Sequence, residues 1–378
     1  MEKPIPWWQV QTSDEDITRV TGVIKNNQLG DGSVVREFEK RITELLGCRY
    51  ALMTPSGTTA ITMGLLAAGI GADDEVLIPD LTWIATATAV AITGAKVVLV
   101  DIDPTTLNID VTALERAITP KTRAIVPVHV SGRAANMAAL TTLAQKHNLV
   151  VIEDAAEAFM SKHTGKYLGT YGAVGAFSLS VFKLITSGQG GFIITNDETL
   201  YEKMRELRNQ GLPAGGQNLV NRIGTFLGIG AKGSDERFAS VGYNFKTSNI
   251  LAALALGQLS QLEFRMERIR KTYAIYTEHL PVQVSLFPFD ITSGELPLWI
   301  DAHTEKRTEL CAYLESKHIE TRPLWLPLHQ QKIYAGNDSN FPHTTTIAPQ
   351  SFWLPSAFTL SDEDVRYVCR EITSFFNR

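Results

Sequence analysis

Lys183 is the first side chain in this sequence with chemistry to offer. It follows the short, mostly apolar run Ala176 to Ser180 and precedes Thr186-Ser187-Gly188-Gln189-Gly190-Gly191, so an amine is held beside a tight, glycine-lined turn. Earlier in the chain, Val150-Val151-Ile152-Glu153-Asp154 puts a carboxylate at the end of an apolar strand, the edge where open α/β sheets place their ligands. A lysine to form a Schiff base and an aspartate to pair with a pyridinium nitrogen are the two protein groups that pyridoxal phosphate chemistry requires. Each has a plainer reading when taken alone. Asp154 is placed to cap a helix starting at Ala155-Ala156-Glu157, and Lys183 to snorkel from an apolar segment. Their shared sheet edge favours the chemical reading.

Two further segments support it. Pro55-Ser56-Gly57-Thr58-Thr59-Ala60 precedes the apolar helical run Ile61 to Ala68, so free amides and the positive end of a helix dipole face outward, a good phosphate site and also an ordinary N-cap. Trp83, in Pro79-Asp80-Leu81-Thr82-Trp83, follows a strand where a flat indole can stack on a planar ring, though aromatics at such positions are more often core. His129 closes another strand and is either near a cofactor or structural.

Elements must bring these residues together. Residues 13 to 27 and 33 to 46 carry helical spacing, with Val34, Phe38, Ile42 and Leu45 marking one face of the second. Candidate strands are Glu75 to Ile78, Lys96 to Val100, Arg123 to Val128, Leu149 to Glu153, Ala176 to Ser180 and Gly191 to Thr195. Amphipathic helices near 83 to 92, 112 to 118 and 136 to 147 separate the first four, which predicts a mainly parallel sheet buried on both faces. Gly211 to Gly242 reads as a long loop, and Ser248 caps a long helical stretch that runs to about His279. A strand near Leu296 to Ala302, a helix from 305 to 318, a proline-rich turn and a helix after Ser361 complete a small α+β domain. The expected division is a large α/β domain over residues 1–250 and a bridging helix with a small domain over 251–378.

Bulk properties narrow the class. The 378 residues carry 44% hydrophobic and 20% charged side chains, ordinary for a globular enzyme. The net charge of -5 comes from 40 acidic and 35 basic residues without a basic block, so nucleic acid is not an expected partner. Cys48, Cys311 and Cys369 are scattered, which suggests neither a disulfide framework nor a metal site. No signal-peptide pattern or membrane-length apolar run is present, and the expected location is cytoplasmic, away from any membrane.

The stretch from Gly57 to Gly191 resembles the DegT/DnrJ/StrS group of pyridoxal phosphate dependent sugar aminotransferases. The likeness begins at Gly32-Ser33-Val34-Val35-Arg36-Glu37-Phe38-Glu39 and continues through Gly69-Ile70-Gly71-Ala72-Asp73-Asp74-Glu75-Val76, Val100-Asp101-Ile102-Asp103 and Ile152-Glu153-Asp154-Ala155-Ala156-Glu157-Ala158. The resemblance implies the fold type I, aspartate-aminotransferase-like architecture. It also implies roles. Lys183 matches the lysine that carries the cofactor and Asp154 the pyridinium partner, and Glu157 matches the position near the cofactor's phenolic oxygen. Gly57, Thr58 and Ser178 match the phosphate cup, and Trp83 the stacking place. Asn244, in Gly242-Tyr243-Asn244-Phe245-Lys246, matches a segment that reaches the neighbouring subunit's phosphate, which implies a homodimer with shared sites. Lys246 stands where Arg is frequent and Gln189 where Glu is usual, and the Gly211 to Gly242 loop is longer than usual.

Ile319-Glu320-Thr321-Arg322-Pro323-Leu324-Trp325-Leu326-Pro327-Leu328-His329 resembles the same stretch in perosamine-synthase-like and bacillosamine-type members. Arg322 becomes a candidate for a carboxylate or diphosphate, and Trp325 and His329 for the sugar site, against the plainer readings of a domain-interface ion pair and a satisfied core or surface histidine. The expected reaction is amino transfer from L-glutamate to a nucleotide-linked keto-deoxysugar, such as a 4-keto-6-deoxyhexose, in amino-sugar and surface polysaccharide synthesis. The cofactor cycles between pyridoxal and pyridoxamine phosphate. Retention of Lys183 argues against a 3-dehydratase, which has histidine there. An aminocyclitol aminotransferase, suggested by Leu81 to Ala87, and a non-catalytic regulatory protein that binds the same cofactor are the alternatives.

Overall fold

A computed structural model describes residues 4–213 and 238–378. Its larger sheet has seven strands: β1 (Tyr50–Thr54), β2 (Glu75–Pro79), β3 (Lys96–Val100), β4 (Thr122–Ile125), β5 (Val150–Asp154), β8 (Val174–Ser178) and β9 (Gly191–Thr195). Between β5 and β8 a small hairpin forms from β6 (Lys162–His163) and β7 (Lys166–Tyr167). The sheet order is β1-β9-β8-β5-β4-β2-β3. Strands β8, β5, β4, β2 and β3 run parallel, while β9 is antiparallel to both neighbours. This α/β architecture, with a large mainly parallel sheet and a smaller sheet domain, matches the expected fold class.

The differences from the expected elements have local causes. Strand β1 was not anticipated, because Ala51, Leu52 and Met53 are better helix formers than strand formers. Strand β4 stops at Ile125 rather than at 128, since Pro127 has no N–H to extend the ladder. Strand β8 lies two residues earlier than expected, and Leu179 and Ser180 turn out toward the loop that carries Lys183. The second helix, Ser33–Leu46, buries Val35, Phe38, Ile42 and Leu46, a face turned slightly from the expected one. The long helix is two, Asn249–Leu259 and Leu262–His279; at the break Ser260 Oγ donates to the Gly257 carbonyl at 2.7 Å and competes with the helix ladder. Of the expected Gly211 to Gly242 loop, residues 214–237 lie outside the described residues, and its ends meet where Ala239 N donates to Gly211 O at 2.9 Å.

The smaller sheet, β10 (Ser285–Leu286), β11 (Ile300–His303), β12 (Arg322–Pro323) and β13 (Ser351–Leu354), is antiparallel in the order β10-β11-β13-β12. An N-terminal strap crosses onto this part of the molecule: Ile5 pairs in parallel with Ile319, and Trp7 N donates to Glu320 Oε2 at 3.1 Å. Among the described residues no helix is long and apolar enough to cross a membrane.

Glu153, one residue before the end of β5, fixes the central edge of the large sheet. Its buried carboxylate accepts from the backbone amides of Gly169 at 2.8 Å, Tyr171 at 2.6 Å and Gly172 at 2.6 Å. His129 Nε2 lies 2.9 Å from it. Only an acceptor satisfies these donors, and Gln would turn an NH2 toward at least one of them. Glu153→Gln is expected to cost about 3 kcal/mol of stability, read from urea unfolding.

Candidate active site

The strand ends, the N-terminus of the helix Gly57–Ala67 and the small sheet enclose a cavity of about 340 Å³. Gly57, Thr58, Trp83, Asp154, Glu157, Ser178, Lys183, Arg322 and Trp325 all line it. Asp154 ends β5 and is 5% exposed. Thr86 Oγ1 donates to its Oδ2 at 2.8 Å and Ala156 N to its Oδ1 at 3.1 Å. Burial nevertheless raises its pKa, outweighing those hydrogen bonds. No ion pair satisfies this carboxylate among the described residues, so a cationic ring nitrogen is the partner its position suits.

Lys183 sits on the turn between β8 and β9. Its Nζ lies 3.4 Å from Glu157 Oε1 and 4.6 Å from the centre of the Trp299 ring. The backbone on both sides is clamped: Trp8 Nε1 donates to Val181 O at 2.8 Å and the buried Arg265 Nη1 to Leu184 O at 2.8 Å. Glu157 also accepts from Ser131 N at 2.9 Å, and burial lifts its pKa to about 7 despite Lys183 nearby.

The end of the cavity at the helix N-terminus is built by close approach. The helix Gly57–Ala67 is capped by Ser56, whose Oγ accepts from Thr59 N at 3.1 Å, which leaves the Gly57 and Thr58 amides directed outward. A Cβ on Gly57 would lie 3.1 Å from Ser178 Cβ, and one on Gly191 would lie 2.5 Å from the Ser56 carbonyl carbon. These glycines keep the cradle open and the strands near it. Trp83, 53% exposed, presents its indole to the cavity. Aldehyde-reactive amine, buried carboxylate, anion cradle and exposed indole together fit pyridoxal phosphate.

His329 and Asn244 lie outside this cavity, and His329 and His129 take the plainer of their roles. His329 does not line the cavity: its Nδ1 is 2.6 Å from Asp80 Oδ2, its Nε2 is 2.9 Å from Asp338 Oδ1, and its ring stacks on Phe341. It is the core histidine of the plainer reading. His129 is structural as well, held by Glu153 and by Ala135 N, which donates to its Nδ1 at 3.1 Å. Asn244 is exposed and lines a separate basic cleft with Arg36, Arg205, Arg208 and Lys246, and Gln189 borders both spaces. Lys246 Nζ donates to Asn209 Oδ1 at 3.1 Å.

The sequence reading missed Thr86, Ser131, Phe182, Trp299 and Trp353. Thr86 was within reach, because it follows Trp83 by one helical turn beneath the Asp154 edge. The tryptophans carry no local signal, since β11 and β13 bring them in from distant sequence.

This fold and cavity define a pyridoxal phosphate dependent aminotransferase. Residues 10–373 match the model of the DegT/DnrJ/EryC1/StrS aminotransferase family, and the chain belongs to that family. It is similar to GDP-perosamine synthase of Escherichia coli O157:H7, at 35% identity over 379 residues covering 99% of each chain. In structure it is similar to S. venezuelae DesV in complex with a ketimine intermediate, with a TM-score of 0.90 and 27% identity over 100% of both chains. It is also similar to DesI in the presence of its TDP-sugar product, with a TM-score of 0.87 and 27% identity over 100% of this chain and 94% of that one.

The carboxyl of Glu157 gives the cofactor-free protein a pH signature. Its folded pKa of about 7 lies above the ordinary 4.5, so the folded state holds the proton longer than the unfolded chain. Stability from this group is complete below about 4.5 and is lost as pH rises toward 7. Glu157→Gln removes that loss. Its stability advantage over the parent should grow across that interval to at most on the order of 3 kcal/mol, measured by unfolding of the two proteins at a series of pH values.

Proposed function

We propose that this aminotransferase moves an amino group from L-glutamate to the keto group of a nucleotide-linked deoxysugar, a 4-keto-6-deoxyhexose in particular, within amino-sugar and surface polysaccharide synthesis. The observation that carries the reading is one cavity that holds the Lys183 amine near Glu157 and Asp154 and, across it, the cation of Arg322. Similarity to a GDP-perosamine synthase and to a protein crystallised with its TDP-sugar product supports a nucleotide-sugar acceptor.

Bound here, pyridoxal phosphate supplies an aldehyde that condenses with amines and a ring that takes up electron density when its nitrogen is protonated. Asp154 keeps that nitrogen protonated, because a cation beside it relieves the cost of burying the carboxylate. The Lys183 Nζ is the acid-base group, taking a proton from the donor α-carbon in one half-reaction and returning one to the new amine-bearing carbon in the other. Glu157 Oε1 receives a hydrogen bond from it. The Gly57 and Thr58 amides with Ser178 hold the phosphate, and Trp83 covers the ring.

Arg322 has no carboxylate partner among the described residues. Its guanidinium lies 5.0 Å from the Trp7 ring, 5.5 Å from Phe182 and 5.6 Å from Trp353, a setting that pre-orients it toward the cavity. This favours its role as receptor for a substrate carboxylate or diphosphate, with Trp325 as part of the sugar wall. The exposure of Asn244 away from its own cavity supports a homodimer in which this segment serves the partner's phosphate.

Lys183→Ala should abolish turnover and the yellow colour of the holoenzyme; transamination at the parental rate would overturn the mechanism. In the parent, L-glutamate should bleach the visible band and a nucleotide-linked ketosugar should restore it. Restoration by a keto-inositol alone would favour the aminocyclitol reading, and a band that no donor bleaches would favour a regulatory protein. Arg322→Gln should raise the concentration of its anionic substrate needed for half-maximal effect by roughly 10- to 100-fold, measured in each half-reaction separately.

A further inference from the structure

Asp301 stands on β11, is 1% exposed and does not line the cavity, yet it gathers donors from both domains. Its Oδ1 accepts from Ser131 Oγ at 2.8 Å and from Trp353 Nε1 at 2.7 Å, and its Oδ2 accepts from Arg133 Nη2 at 2.9 Å. Arg133 is itself fixed, with Nε donating to Pro288 O at 2.8 Å and Nη1 to Thr106 O at 3.1 Å. A buried ion pair gains little over apolar packing of the same volume, so packing alone gives no reason for a carboxylate here. What the carboxylate adds is direction, because it orients two donors: Trp353, which lines the cavity, and Ser131, whose amide holds the cavity residue Glu157.

The first route runs through Ser131. This serine has φ of 54°, a left-handed conformation that non-glycine residues seldom adopt without support. The hydroxyl bond to Asp301 and the bond from Leu298 N to Ser131 O, 2.9 Å, hold it there. In that conformation Ser131 N points at Glu157 Oε2, and the other oxygen of Glu157 faces Lys183. The second route runs through Trp353. Register places Asp301 and Arg322 on either side of it in adjacent strands, and the indole ring whose N–H Asp301 holds is one of the surfaces against which Arg322 lies.

We propose that Asp301 is a positioning residue of the amino-transfer site: through Ser131 it sets the carboxyl of Glu157 opposite Lys183, and through Trp353 it sets the wall that orients Arg322. This rests on the roles given above to Lys183, Glu157 and Arg322, with Arg322 as the receptor of the L-glutamate carboxylate. Single replacements separate the two routes. Ser131→Ala deletes only the hydroxyl, Trp353→Phe keeps a ring but deletes the N–H, and Asp301→Ala removes the acceptor of all three donors, whereas Asn would keep its oxygen on Ser131 and Trp353 by turning its NH2 toward Arg133.

The test uses the holoenzyme and two readouts: the midpoint of a pH titration of the visible cofactor band without substrate, and the L-glutamate concentration that half-bleaches that band. Ser131→Ala should move the midpoint by about half a pH unit or more, with half-bleaching within about twofold of the parent. Trp353→Phe should raise the half-bleaching concentration about tenfold and leave the midpoint in place. Asp301→Ala should do both. Parental values of both readouts in Asp301→Ala, whatever its melting temperature, would overturn the proposal. Should that variant not fold, parental midpoint in Ser131→Ala together with parental half-bleaching in Trp353→Phe would overturn it instead. A parent enzyme that L-glutamate does not bleach would defeat the functional reading, and a midpoint shift in Ser131→Ala would then still uphold the route through Glu157.

Discussion

A carboxylate buried at the end of β5 is the constraint around which this protein is organised. Asp154 has two neutral donors, Thr86 and the Ala156 amide, and burial still disfavours its charge. A neutral pair of donors is not enough, and the charge becomes comfortable only when a cation sits against it. The parallel strands β5 and β8 and the helix that follows Trp83 supply the rigid walls that fix where this cation must be. Glu153, immediately before it, anchors the same edge with bonds to three backbone amides.

Around that point the chain positions two other charges by different means. Lys183 is placed by its backbone, held on one side by Trp8 and on the other by Arg265, so the amine projects from a fixed turn. Among the described residues Arg322 is placed by ring faces, which fix its plane without engaging its N–H donors. The N-terminal strap takes part in both, because Trp7 and Trp8 are consecutive residues. A segment with little secondary structure of its own thus connects the Lys183 turn to the Arg322 side chain.

Much of this was legible in the sequence where chemistry is local. The Val150 to Asp154 strand, the Ser-Gly-Thr helix start and the glycine turn after Lys183 are each written in consecutive residues, and their placement follows from strand ends meeting at one edge. For His329 the sequence left a sugar-site role and a core role side by side, because its partner Asp80 lies far away in sequence and only the fold shows the pair. The break at Ser260 likewise depends on a side chain bonding back to its own helix, a competition that apolar periodicity does not register. The tryptophan wall illustrates the same limit: Trp299, Trp325 and Trp353 meet through antiparallel register, and no spacing in the sequence announces it.

The reversal of β9 has a kinetic side. Strand β1 has one neighbour in the sheet, and that neighbour is β9, with Tyr50 opposite Thr195 and Thr54 opposite Gly191. Closing this pair joins segments separated by most of the large domain, the kind of non-local contact that makes chains fold slowly. The two halves of the anion cradle, Ser56-Gly57 after β1 and Gly190-Gly191 before β9, come together only at that closure. During synthesis, Ser56 and Gly57 therefore cannot meet Gly191 until the ribosome has delivered β9.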